Sequence, residues 1–436
     1  MKICAYVQTR YAKATYKTEC FNVRAWVGMS VIIDVLSRAG YTVEYAGKDT
    51  VHQYDIVLVS LTSDCDWWQF IPERTQWRKG NYKVIIGGAG LLNIRPFLEY
   101  ADCFVWGRGE NIIVPLVEAL AQGEEYHHES VAYRDTFFAD RAYKIAQVDE
   151  SYPYEVRLSN GKIFREREIG CPHKCLFCGY TWQRKYVGAG GAYIDTSVWG
   201  ENMSNKEVAL LDWAEGKSPV TIDRIGITSI DGFSERLRFS VNKRISKDLL
   251  KSFFTILGQS EFTQKMKIYN IVGLPSETEE DWSEFLQTIA EVDTQCSPGK
   301  QWGIILHNTP FRAMPATPMA CAPMSYKNYR GEIARFLGQG RYKGNIFFQG
   351  NKFWAVESGW TDSLPTVILS AICHRGVEAD ADNVRKIACS KKFWRANLEV
   401  KQKTLEKYFD VATLFGSYEW NNLPTRYLKT YAPIIK

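Results

Sequence analysis

The sequence predicts an α/β protein in consecutive parts: a doubly wound unit over 1–125, a linker over 126–165, a second strand-and-helix unit over 166–325, and a mainly helical, basic region over 326–436. Three observations carry this reading. Short apolar runs alternate with helix-length segments through the first part, as buried parallel strands and their crossovers do. Three closely spaced cysteines open the second unit. The last hundred residues change in pattern and charge: Gly331 to Lys436 holds 16 Lys/Arg against 10 Asp/Glu, whereas the whole chain carries only +5.

The opening run KICAYVQT reads as a first strand rather than as a leader. Val23 to Arg38 repeats apolar residues at helical spacing and stops before Gly40, a left-handed cap. YTVEYA, DIVLVSL, YKVIIGG and DCFVWG predict four more strands, and Ile112 to Leu120 a closing helix. Ligands of such sheets bind outside the carboxyl ends of the strands. The polar and glycine residues there are Ser60, Thr62 and Ser63, then Gly87 and Gly88, then Gly107, Arg108, Gly109 and Glu110. In the linker, VRLSNGKIFRER alternates about Asn160-Gly161, the signal of a two-residue hairpin.

Cys171, Cys175 and Cys178 form C-x3-C-x2-C within EREIGCPHKCLFCGY. A structural zinc site closes with four ligands, and no fourth cysteine is near. Three thiolates suit a cubane iron–sulfur cluster with one iron left open to a substrate or cofactor. A partial zinc site, or three unrelated thiols, is the plain alternative. The other eight of the 11 cysteines are scattered, which argues for a reducing cytoplasm over a disulfide scaffold. No 18-residue apolar stretch occurs, so no membrane span is predicted. An apolar share of 45% and a charged share of 24% are those of a globular chain with real cores.

Beyond the cysteines, VGAGGAY lacks the Lys-Ser/Thr of a phosphate loop and reads as a plain loop. IGITS predicts a strand, and SERLRFSVNKRIS a helix capped by Ser234. MKIYNIVGLPSETEEDW predicts a strand from Lys267 to Val272, a Gly273-Leu274-Pro275 turn, and an acidic helix start at Glu277, Glu279, Glu280 and Asp281. In WGIILHNTPFRAMPATPM, His307 and Asn308 lie at a strand end; His307 serves there as a satisfied structural group or as a contact to substrate. Near the C-terminus, Arg385, Lys386, Lys391, Lys392, Arg395, Lys401, Lys403 and Lys407 surround Phe393-Trp394. Such a stretch binds nucleic acid through phosphate contacts and stacking, or forms a solvated helix face around a core aromatic.

The cysteine spacing, with Phe177 before the last cysteine, resembles the radical S-adenosylmethionine (radical SAM) superfamily. The resemblance implies a [4Fe-4S] cluster on Cys171, Cys175 and Cys178 and a partial (β/α)6 barrel. It implies SAM chelated by the open iron and split, on one-electron reduction, to a 5′-deoxyadenosyl radical that takes hydrogen from substrate. An electron donor of the flavodoxin or ferredoxin kind is implied too. GITSIDGFSERLRFSVNKRIS is similar to the G-x-E-S-G-S-E-R-L-R…N-K-x-I-S segment and implies SAM contacts at Thr228, Ser229, Asp231 and Arg238. IVGLPSET resembles I-x-G-L-P-G-E-T and implies contacts at Tyr269, Asn270, Ile271 and Gly273, with Phe177 beside the cluster. The G-G-E triplet that meets the methionine amine is not found.

The first unit resembles the flavodoxin-like cobalamin (B12)-binding domain that precedes many such barrels, in the interval from Ser60 to Gly87-Gly88 and in the GRGE run. A cobalamin-type site at Ser60, Thr62, Gly87, Gly88, Gly107 and Gly109 is implied. The cobalt-ligating D-x-H-x-x-G segment is missing, so bound cobalamin and a fold that has lost it both stay open. The implied enzyme modifies or rearranges a nucleic-acid base or nucleoside derivative. The alternatives are a cobalamin-dependent methyltransferase acting on a small molecule or peptide and, in another class, a non-catalytic ligand or redox sensor. His307 is the candidate catalytic residue beyond the cluster.

Overall fold

The computed structural model describes residues 1–8, 23–61, 66–91, 95–135, 146, 155–157, 163–165, 171, 173–182, 210–215, 225–260, 265–299, 301–311, 317–319, 322, 346–353, 381–395, 400, 403–404 and 407–408. Its first sheet contains β1 (Ile3–Tyr6), β2 (Val43–Ala46), β3 (Ile56–Ser60), β4 (Lys83–Gly87), β5 (Cys103–Val105) and β6 (Val131–Tyr133). They lie in the order β2-β1-β3-β4-β5-β6. The first five are parallel, and β6 runs antiparallel to β5. This is a doubly wound order, with its switch point between β1 and β3.

Alternation along the strands makes both faces apolar. Ile3, Ala5, Ile56, Leu58 and Ile85 pack with α1 (Val23–Arg38) and α3 (Ile113–Gln122) through Met29, Leu36, Ile113 and Leu116. Cys4, Tyr6, Val57, Val59, Val84 and Ile86 meet α2 (Asp66–Arg74) through Trp67, Phe70 and Ile71 on the other face. Successive side chains point to opposite sides of a strand, so these continuous apolar runs need helices on both. The turn after α1 closes as the sequence predicts: Gly40 takes φ +89°, and Tyr41 N donates to Leu36 O at 3.0 Å.

The hairpin strands β7 (Glu155–Arg157) and β8 (Ile163–Arg165) pair antiparallel, with Arg157 opposite Ile163. That register is centred on Asn160, not between Asn160 and Gly161. The turn expected at Asn160-Gly161 falls in residues 158–162, which lie outside those described.

After α4 (Gly179–Trp182) and α5 (Leu210–Ala214), a second sheet holds β9 (Ile225–Ser229), β10 (Lys265–Val272), β11 (Trp302–Pro310) and β12 (Ile346–Phe353), all parallel and in sequence order. Its helices are α6 (Glu235–Ser240), α7 (Lys247–Gln259) and α8 (Glu279–Asp293). Ser234 accepts from Leu237 N at 3.2 Å, the cap expected of it. Thr278 and Asp281 close a capping box on α8. Glu277 departs from expectation. It precedes α8 and folds back, accepting from Gly273 N, Leu274 N and Trp282 Nε1 at 2.6, 3.1 and 2.7 Å. It braces the Gly-Leu-Pro turn instead of facing the helix dipole.

Strand β12 falls inside the stretch expected to be helical. Its β-forming run, with Ile346, Phe347 and Phe348 together, extends the sheet from β11, so the sheet continues past residue 325. Further on, α9 (Ala381–Ala388) and α10 (Lys391–Arg395) return to the first unit. Val384, Ile387, Ala388 and Phe393 share a core with Trp67, Phe70 and Tyr100, and Arg385 reaches Glu99 at 3.7 Å. Phe393, one of the two aromatics expected to stack on bases, is thus buried. The same core takes in Leu237, Leu274 and Phe311, so the two sheets and the C-terminal helices share it. No described helix is long and apolar enough to cross a membrane.

Candidate functional site

The three cysteines lie on a loop whose backbone is tied down on all sides. Thr181 Oγ1 donates to Cys171 O at 2.6 Å, Trp182 Nε1 to Cys175 O at 2.8 Å, and Thr181 N to Cys178 O at 3.2 Å. Each cysteine carbonyl is therefore engaged, and the loop turns tightly through Lys174, at φ +54°. From outside the loop, Leu176 N donates to Val241 O at 2.9 Å, and Asn242 Nδ2 donates to the carbonyls of His173 and Lys174 at 3.2 and 2.9 Å. Met319 N donates to Leu176 O at 3.3 Å. Phe177 and Leu176 pack with Ile271 against the shared core.

Cys175 is buried, and Cys171 and Cys178 are half-buried. Burial pushes the Cys175 thiol up to about 12; Lys243 pulls it down, while Asp231, Cys178 and Cys171 push it further up. Among the described residues, no three His, Cys, Asp or Glu side chains converge closely enough to hold a metal ion as they stand. The three thiols share one loop without closing on a point.

Strand register decides which of the expected SAM contacts face this loop. Thr228 stands opposite Ile268, and Ile268 opposite Leu306. Ile268 and Leu306 belong to the core under α7 and α8, so Thr228 points there as well. Asn270 is 1% exposed, and its Nδ2 donates to Asn308 Oδ1 at 3.1 Å on that helix side. The Thr228 and Asn270 side chains thus lie on the helix side of the sheet. The next residues along face the other way. Ser229, Tyr269 and His307 are cross-strand neighbours on the face that carries Ile271, and the Tyr269 and His307 rings lie 5.0 Å apart.

Arg238 is engaged with backbone. It is 1% exposed. Its Nε donates to Ile245 O at 2.7 Å, and its Nη1 to Gly232 O and Phe233 O at 3.1 and 2.8 Å. The guanidinium, for which the resemblance implies a cofactor carboxylate, clamps two backbone turns together. Burial lowers its pKa to about 10, against the raising influence of Glu284 and Glu235. One clamped turn carries Asp231, at φ +53°, which pairs with Lys243 at 2.7 Å. Gly273, at φ +77°, ends β10 within the turn braced by Glu277.

At the carboxyl end of the first sheet, Ser60 pairs with Gly87. Gly88 holds φ +107°, and a Cβ there would lie 2.2 Å from Leu61 O; only glycine lets these two backbones cross. Gly107 bridges to Ala146, and Gly109 is backed by Ile32, whose Cδ1 a Cβ would meet at 3.0 Å. Arg108 and Glu110 form a 2.6 Å pair beside them. The GRGE run thus has structural duties of its own. Thr62 and the segment where a cobalt-ligating histidine would fall lie outside the described residues.

Gln8 escaped the sequence reading. It sits two residues past the end of β1, at the switch point. It is 2% exposed, and among the described residues neither of its buried amide atoms has a hydrogen-bond partner. A polar residue directly after the first apolar strand of a doubly wound sheet was the available signal.

No family model matches the chain, and no curated protein matches it. Among solved structures it is similar to the cobalamin-dependent S-adenosylmethionine radical enzyme OxsB. With the apo, SeMet-labelled form the identity is 13%, over 64% of this chain and 41% of that one, at a TM-score of 0.26. With aqua-cobalamin bound the values are 13%, 70%, 43% and 0.29. With aqua-cobalamin and S-adenosylmethionine bound they are 12%, 70%, 43% and 0.28. The chain thus spans about two fifths of the length of the structures it matches.

The donor chemistry fits an iron–sulfur cluster. Three thiols on one pinned loop, one of them buried, match a group that takes a separate thiolate on each of three irons. The orphaned amide of Gln8 and the side-chain-free crossing at Gly88 fit a ligand at the end of the first sheet, because a buried amide without a partner is costly unless something fills it.

Proposed function

We propose that this chain is a radical SAM enzyme built on a partial barrel, with Cys171, Cys175 and Cys178 as the cluster ligands. The pinned cysteine loop, packed through Phe177 and Leu176 beside the face that carries Ser229, Tyr269 and His307, carries the reading. When bound, the cluster supplies one electron to cleave SAM, giving a 5′-deoxyadenosyl radical that takes a hydrogen atom from substrate. The chain's own part is to position and to exclude water. Phe177, Ile271 and Leu274 form an apolar wall around the loop. Ser229, Tyr269 and His307 offer hydroxyl and imidazole groups to hold substrate still, since a primary radical must meet its target at once. An external flavodoxin- or ferredoxin-type protein supplies the electron.

A cobalamin-dependent methyl transfer is the second reading, favoured by Gln8 and Gly88 at the end of the first sheet. Gln8 and Ser60 would hold the cofactor, and Gly88 would let it approach the backbone.

The test is anaerobic reconstitution with iron and sulfide, reduction, and incubation with SAM. Formation of 5′-deoxyadenosine is the expected outcome; a loaded, reduced protein that forms none would leave the sensor reading in its place. A nucleic-acid substrate rests on the C-terminal basic helices, where Lys386, Lys391 and Lys392 are exposed. Replacing Lys391 and Lys392 with alanine should weaken single-stranded oligonucleotide binding and lower its salt slope by about 1 per lysine. Unchanged affinity and slope would remove the nucleic acid from the proposal.

A further inference from the structure

The ion pair between Lys243 and Asp231 has no part in the reading above, and it is built with unusual care. Both side chains are largely withdrawn from water, Lys243 at 17% and Asp231 at 13% exposure, and their charged atoms meet at 2.7 Å. Each sits on a turn held by Arg238: Asp231 directly before Gly232, and Lys243 through its own amide, which donates to Arg238 O at 2.8 Å. Lys243 also directly follows Val241 and Asn242, the two residues that bond the cysteine loop. The pair is therefore anchored to the cysteines by backbone and amide hydrogen bonds, not by surface chance.

We propose that Lys243 and Asp231 are positioning residues that set the reduction potential of the group held by Cys171, Cys175 and Cys178, with Lys243 raising it and Asp231 moderating that effect. The inference rests on the cluster reading. Its physics is Coulombic. One-electron reduction adds a negative charge beside the thiolates. A nearby ammonium in a poorly solvated site stabilises the reduced form more than the oxidised one, and a carboxylate does the reverse. Lys243 follows Val241 and Asn242 directly, and both bond the cysteine loop, so its charge is held beside that loop. Lys243 is held as an ammonium by its 2.7 Å pair with the Asp231 carboxylate.

The experiment is a redox titration of the reconstituted full chain, without added SAM, followed by the electron paramagnetic resonance of the reduced cluster. Lys243→Gln should move the midpoint to a more negative value and Asp231→Asn to a more positive one, with the double variant between them. Lys243→Arg keeps the charge and should restore the wild-type midpoint, which separates charge from shape. Iron content equal to wild type shows that each variant is folded and loaded. Midpoints that do not move, or that move in the same direction for Lys243→Gln and Asp231→Asn, overturn the inference while leaving the cluster reading intact. A wild-type chain that takes up no iron overturns both.

Discussion

Replacing any one of Cys171, Cys175 and Cys178 with alanine is expected to abolish iron binding and SAM cleavage together, with almost no loss of fold. The reason lies in how the loop is held. Its hydrogen bonds run through the carbonyls of the three cysteines and through the amides of Leu176, Cys178 and Thr181, none of which alanine removes. Only the ligand is lost, so stability should stay within about 1 kcal/mol of wild type. The thiols of Cys4 and Cys103 are no substitutes. Both are buried in the first sheet, and burial pushes both thiols up, Cys4 to about 12. Iron content, charge-transfer absorbance and 5′-deoxyadenosine yield are the readouts, with Cys389→Ser, at an exposed position, as the control that keeps all three. A triplet variant that retains full iron and activity would remove the cluster from this loop.

Much of the fold was legible because parallel strands buried on both faces leave continuous apolar runs. β1, β3, β4 and β5 are such runs, and Gly40 marks the end of α1. The hairpin register was not legible, because one residue more or less in the loop changes the pairing without changing the alternation. β12 was missed because the region around it carries helical spacing and its own aromatics do not alternate.

At the candidate site, the cysteine loop is marked by spacing alone, whereas the faces of the strand residues are not. Thr228 and Ser229 are equally polar neighbours, as are Tyr269 and Asn270. Which of each pair faces the cysteines depends on strand parity relative to the helices, and that is fixed only once Ile268 and Leu306 are seen to pack under α7 and α8. Asn270 shows how far the partner can lie: the resemblance implies a contact there, and its side chain bonds Asn308, 38 residues away. Gln8 is the reverse case, a functional candidate with no motif around it.

Arg238 is the position where the sequence and the structure make opposite forecasts. A guanidinium that met the carboxylate of SAM would tolerate lysine with a weakened KM and an unchanged fold. The guanidinium observed here spans two turns, reaching Ile245 O on one side and Gly232 O and Phe233 O on the other. A single ammonium lacks the fork needed to hold both. Leaving a buried acceptor without its donor costs about 1–3 kcal/mol, and three are affected, so Arg238→Leu should lose at least about 3 kcal/mol, and Arg238→Lys should recover little of it. The loss should spread to the site, because the freed turns carry Asp231 and Lys243 and, through Asn242, the carbonyls of His173 and Lys174. Thermal unfolding of the metal-free variants checks the first expectation, and iron uptake the second. If Arg238→Lys instead melts with wild-type protein, loads iron fully and differs only in its KM for SAM, then the clamp is dispensable and the carboxylate role regains the residue.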